Sequence, residues 1–247
     1  MLSRVLRSEV TDELRGIVRE PTALFFSVVM PVAFFALFIS IFGDYQRGGV
    51  SAATMMVANF GTFGVLAVTL VTPGVGVARD REIGWLRAKR VSAVPVGVTL
   101  SAKIGATLPY ALTVLAAMTV TASVTGSLDA APGRLLAIAA ILLLGCLPFT
   151  LLSVAIGLQA STNTTVAVLN AILMPSAVLS GLWMPLAILP EFIGDLAHFL
   201  PTYHLAQLAV SQVSQLRTDT LLHVGVLLAT TVVTAALAAV SYRHARS

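Results

Sequence analysis

Five stretches of at least 23 residues contain no Asp, Glu, Lys or Arg: residues 21–43, 48–78, 104–128, 135–190 and 220–242. A helix needs about 20 apolar residues to cross the hydrocarbon core of a bilayer, so each is long enough to span. The fourth is 56 residues long and carries Gln159, Ser161, Thr162, Asn163, Thr164 and Thr165 near its middle. It reads as two spans joined by an uncharged polar turn. The sequence therefore predicts an all-α polytopic membrane protein with six transmembrane helices. A transmembrane barrel would need short segments that alternate apolar and polar side chains, and no such dyad is present. Only 11% of the residues are charged and the mean hydropathy is +0.93, far from the roughly 25% charged share of a soluble domain.

Orientation follows from the basic residues, which concentrate in cytoplasmic loops. An even number of spans puts both termini on one side. With the N-terminus inside, cytoplasmic segments hold Arg4, Arg7, Arg15, Arg19, Arg79, Arg81, Arg87, Lys89, Arg90, Lys103, Arg243 and Arg246, twelve of the fifteen Lys and Arg. Arg47, Arg134 and Arg217 fall outside. The basic pI of about 9.7 is then a product of topology. It does not point to nucleic acid, which needs a continuous basic face with stacking aromatics. Eight charged residues precede the first apolar run and no cleavage pattern is present, so the first span reads as a retained anchor and not as a signal peptide. The single cysteine, Cys146, falls inside a span and can form no internal disulfide.

Along the chain, Leu2, Val5, Leu6, Val10, Leu14, Ile17 and Val18 recur at helical spacing while Arg4, Arg7, Thr11, Asp12, Arg15 and Arg19 take the other side. Residues 1–20 therefore read as an amphipathic helix lying on the inner membrane surface. The six spans are expected at about 22–42, 53–77, 98–124, 135–158, 165–183 and 221–242. Pro31 invites a kink in the first, and Pro73 with Gly74 and Gly76 makes the second irregular. Lys103 is expected to snorkel to the inner surface. In the segment 184–203, Pro185, Pro190 and Pro201 exclude one continuous helix. Short extracellular helices between spans five and six are expected there, with Trp183, Tyr203 and Tyr242 near the interfaces.

Function is sought first in the charged island from Arg79 to Arg90, which holds seven ionisable residues in twelve. It reads as a short helix across the cytoplasmic face, with Asp80 and Glu82 near its start and Arg87, Lys89 and Arg90 near its end, as a helix macrodipole favours. Trp85 and Leu86 supply apolar bulk for a partner's pocket; the alternative is an ordinary basic loop with Trp85 in the headgroups. The chain has no G-x-x-x-x-G-K-[ST] loop to cradle phosphates, so energy must come from a partner or from an ion gradient. A gradient-driven carrier places ionisable groups within the membrane. The spans hold none except His223, near an outer end, and this favours a partner.

Glu191, Asp195 and His198 fall on one helical face, with His204 near, but lack the spacing of a metal site and read as solvated polarity. The sequon at Asn163 lies on a cytoplasmic turn. Asn59, Asn170 and Gln159 could line a path for substrate, or simply bond between helices. The H-E-x-x-H and G-x-S-x-G motifs of enzymes are absent, so no catalytic residue is assigned.

Four segments carry a family resemblance over nearly the whole chain: REPTALFFSVVMPVAFFALF after the amphipathic start, RDREIGWLRAKRVSAVPVGVTLSAK, QASTNTTVAVLNAILMPSAVLSGLWMPLAILPE, and LPTYHLAQLA. In their order and spacing they resemble ABC-2 type transporter permeases, close to the daunorubicin-resistance (DrrB-like) drug-export subunits. The family pattern after span two is matched by Glu82, Gly84, Trp85 and Leu86, with Arg87 where a glutamate is common. The resemblance implies one transmembrane domain over residues 1–247 that pairs as a homodimer or heterodimer and binds two separate ATPase subunits. ATP and Mg would sit on those partners and no cofactor on this chain. It also implies a cytoplasmic coupling loop at 79–92, in which Arg79, Asp80, Arg81, Glu82, Gly84, Trp85, Leu86, Arg87 and Arg90 meet the ATPase.

Overall fold

The computed structural model describes residues 10–16, 25–42, 46–47, 50–84, 96–125, 128, 130–214 and 218–245. Helix dominates. The amphipathic start appears as α1 (residues 10–16), with Val10, Glu13 and Leu14 turned inward and Thr11, Asp12 and Arg15 outward. The rest of the expected 1–20 helix lies outside the described residues. A π-turn, Phe25–Val29, leads into α2 (Met30–Phe42). The kink expected at Pro31 takes this form: proline cannot donate to the carbonyl four residues back, and the preceding turn widens. Two-residue strands β1 (Gln46–Arg47) and β2 (Val50–Ser51) pair antiparallel and return the chain to the bundle.

Helix α3 (Ala52–Glu82) is the axis of the molecule. In its most apolar window 78% of the residues are buried, against 11% for the last helix, so α3 is surrounded by protein and most of the last helix is exposed on the outside of the bundle. It packs against α2, α4 (Val96–Val124), α6 (Leu147–Gly157) and α7 (Thr162–Leu179). Its contact with α6 is backbone to backbone. A Cβ on Gly157 would overlap the Gly74 carbonyl, and one on Gly74 would sit 2.5 Å from the Ser153 carbonyl oxygen. Pro73 does not break α3, because the neighbour supplies what the bend exposes: Gly74 N donates to Ser153 Oγ at 2.8 Å.

The expected span four runs through α5 (Pro132–Gly145) and α6, which together make one apolar crossing; at Cys146, between them, Pro148 lacks the N–H that would continue the ladder and the Cys146 carbonyl accepts from both Phe149 and Thr150. After span five come short helices in the segment 184–203, a 3₁₀ turn (Leu186–Ile188) and α8 (Glu191–Ala197), with Phe192 and Phe199 exposed. Helix α9 (Pro201–Val210), however, buries Thr202, His204, Leu205, Ala206, Leu208, Ala209 and Val210 against α3, α5 and α10 (Thr220–His244). Leu205 reaches Gly145, in the middle of the broken span, so α9 re-enters the bundle to mid-depth.

Among the described residues five helices are long and apolar enough to cross a membrane, the α5–α6 pair counting as one, and Met30–Ile41 is a shorter apolar helix. With the π-turn, 5 residues and 13 residues of helix run together over Phe25–Phe42. The all-α polytopic architecture stands. The core runs along α3, where Phe35, Phe38 and Phe60 cluster and Trp183 packs edge-on against Phe63 at 5.2 Å. Trp183 thus serves the core and not only an interface.

Candidate functional site

The charged island begins inside α3. Arg79, Asp80, Arg81 and Glu82 form the last turn of α3, which ends at Gly84, where φ is +77°. Glycine enters that left-handed conformation without a Cβ penalty, and Gly84 N donates to the Arg81 carbonyl to close the end. Trp85, Leu86, Arg87 and Arg90 lie outside the described residues. Asp80 and Glu82, expected near a helix start, sit at the C-terminal end of α3, where the macrodipole disfavours anions. Each acid has an opposing partner from another element.

Arg81 and Glu82 grip the turn between α6 and α7 from its two sides. The guanidinium of Arg81 donates to the Leu158 carbonyl at 3.1 Å and the Ala160 carbonyl at 2.6 Å, at the negative end of α6. The carboxylate of Glu82 accepts from Thr162 N at 3.0 Å and Thr162 Oγ1 at 2.5 Å, at the positive end of α7. Consecutive residues of opposite sign thus complement the two opposed helix ends and satisfy groups those ends leave unpaired. Ser161 caps α7 by accepting from Thr164 N, and Gln159 Nε2 donates to the Ser241 carbonyl in the last turn of α10 at 2.8 Å. Four helix ends meet at this turn.

Asp80 is met by Lys103. The lysine Nζ lies 2.7 Å from Glu13 Oε1 on α1 and 2.9 Å from Asp80 Oδ2 on α3. Its side chain is 5% exposed, against 26% for Glu13 and 15% for Asp80. The Glu13 contact is a directed hydrogen bond, whereas Asp80 Oδ2 makes an ion pair outside hydrogen-bond geometry. The Lys103 ammonium lies at the charged-island end of the bundle, where two carboxylates meet it, and Gly76 leaves room for it along α3. Val10 also lies against Gly105, so α1 is tied to α4 by an apolar and an ionic contact together.

At the opposite end of the bundle the sequence reading missed a second cluster. His204 of α9 and His223 of α10 are 2% and 7% exposed, and their Nδ1 atoms are 2.7 Å apart. His204 Nε2 lies 2.9 Å from the His198 carbonyl oxygen. Glu191 and Asp195 are exposed, and His198 Nδ1 donates to the Gly194 carbonyl. Among the described residues no group of three His, Cys, Asp or Glu converges as metal ligands. Asn170, a candidate for a substrate path, donates to its own helix at Val166.

The chain is 24% identical to a Bacillus subtilis (strain 168) protein named "Putative transport permease YvfS" over 201 residues, which cover 81% of this chain and 82% of that one. The family model described as ABC-2 type transporter matches residues 5–213, a span that contains α1, the gripped turn and α9. The helical polytopic fold and that match agree with the resemblance carried by the four sequence segments, and the chain belongs to the ABC-2 type transporter family.

Proposed function

We propose that this chain is the membrane subunit of an ATP-binding cassette exporter that moves a hydrophobic, drug-like or lipid-like compound across the cell membrane. ATP and Mg are used by two copies of a separate ATPase subunit, and the permease pairs with itself or with a similar chain. Both termini face the cytoplasm in this reading. The residues from Arg79 to Arg90 receive the ATPase: Arg79, Asp80, Arg81, Glu82 and Gly84 on and just beyond the end of α3, then Trp85, Leu86, Arg87 and Arg90.

One observation carries the proposal. The end of α3 is attached to four other elements, through Arg81 to the α6 end, through Glu82 to the α7 start, and through Asp80 and Lys103 to α4 and α1. A displacement applied just beyond Gly84 therefore reaches spans three, four and five at once. A loop that only separated two spans would need no such attachment.

The test is to co-express the chain with its ATPase, reconstitute the complex, and measure transport per ATP hydrolysed. Glu82→Arg is expected to lower that ratio at least tenfold while the ATPase still co-purifies. Trp85→Ala is expected to weaken co-purification itself. Unchanged transport and unchanged co-purification in both variants would count against the proposal.

A gradient-driven carrier is the second reading, and the buried His204–His223 pair is the observation in its favour, since such carriers hold proton sites within the membrane. It is distinguished by transport that needs a proton gradient and no ATPase.

A further inference from the structure

The histidine pair has only a few proton arrangements open to it. The His198 carbonyl can only accept, so His204 Nε2 carries a hydrogen in the contact at 2.9 Å. In the neutral ring His204 Nδ1 is then bare, and the 2.7 Å contact requires His223 to donate its Nδ1–H. The free site is His223 Nε2. One added proton can be accommodated, because a single hydrogen still lies between the two Nδ1 atoms. A second cannot. With both rings charged, two N–H groups point at each other across 2.7 Å and the bond is lost.

This bond joins two consecutive helices. It links α9, the re-entrant helix, to the first turn of α10. Tyr203 packs against all three imidazoles, with ring centroids 5.0 Å from His198, 5.5 Å from His204 and 6.1 Å from His223. Gln159 ties the far end of α10 to the turn that Arg81 grips, so the pair lies at the membrane end opposite the charged island. The titratable neighbours that act on His223 are His204, His198 and Asp219, the last capping α10 by accepting from Leu222 N. Of the elements packed around α9 and α10, α6 and α7 carry no ionisable group. Helix α5 has only Arg134, exposed in its first turn, and the charges of α3 are at its other end.

We infer that His204 and His223 form a proton-limited latch that holds α9 on α10 and is released by acid from the end of the bundle facing away from the charged island. The latched pair binds at most one proton, whereas two hydrated imidazoles bind one each once pH falls below about 6.5. The sign follows by linkage. The released state takes up more protons than the latched state, so latching is fully favoured above that pH and is lost as pH falls. Each unit below about 6 shifts the ratio of released to latched molecules by about tenfold. The ligand of the site is a proton, and the inference does not depend on the ATPase reading.

The test places nitroxide labels at Phe199→Cys and Leu221→Cys, which are 81% and 86% exposed, in the full chain in lipid nanodiscs. Their distance distribution is measured by double electron–electron resonance from pH 8 to pH 4.5. A longer-distance population is expected below about pH 6, growing as pH falls, and the His204→Gln, His223→Gln double variant is expected to show no such growth. A distribution that stays constant to pH 4.5 with both histidines present would overturn the latch, whether or not the variant folds. Equal growth with and without the histidines would overturn it too. The ATPase is not needed, so this result is separate from the transport test.

Discussion

At one end of the bundle Glu13, Lys103, Asp80, Arg81 and Glu82 hold five elements together through full charges, whereas at the other end His204 with His223 and Ser180 with Thr202 do so through groups that can be neutral. The difference teaches how each end can respond. Charged contacts made to opposed helix ends are strong, directional and stiff, which suits a place that must pass on a push. Neutral bonds between side chains inside a membrane are weaker, which suits a place that must open.

The largest effect expected from breaking this contrast is at Lys103. Lys103→Met leaves Asp80 and Glu13 facing each other without a cation, and removal of one partner from a buried ionic group costs about 3 kcal/mol. Thermal unfolding of the purified chain in detergent should show it, and Lys103→Arg should recover most of the loss. If Lys103→Met unfolds at the same temperature as the parent, the charged end is not held by charge.

Arg81→Ala comes next. It strips donors from the Leu158 and Ala160 carbonyls at the end of α6, for a loss of about 2 kcal/mol by the same measurement. The effect should shrink in high salt, because the site is only partly buried and its charges are screened. A loss that does not respond to salt would assign the role of Arg81 to packing along its stem.

These two residues also show what could be read from the chain alone. Apolar length and the polar run at 159–165 were enough to place α3, the α6–α7 turn and the other long apolar helices, because the cost of charge in lipid writes itself into composition. Composition is silent on partners. Arg81 meets residues 77 and 79 positions away, and Lys103 meets Glu13 at a separation of 90, so the charged island read as a free docking surface where it is half anchored. Helix α9 was hidden for another reason. Pro185, Pro190 and Pro201 broke the segment into pieces too short to span, although residues 196–216 also lack Asp, Glu, Lys and Arg. A histidine in each of two apolar runs, His204 and His223, was the available signal for the buried pair.

The smallest effect is expected at Ser180→Ala, which removes the hydroxyl that bonds Thr202 where α7 ends and α9 begins. Both residues are buried, and in water the loss of one partner would be felt in full. Within a bilayer the unfolded helices also find partners for their polar groups, so the net loss averages about 0.6 kcal/mol. Ser180→Ala should therefore move the unfolding temperature far less than Arg81→Ala in the same detergent. A loss above about 2 kcal/mol would mean that the neutral end is fastened as firmly as the charged one, and that the two ends of the bundle are not divided between a stiff lever and a part that opens.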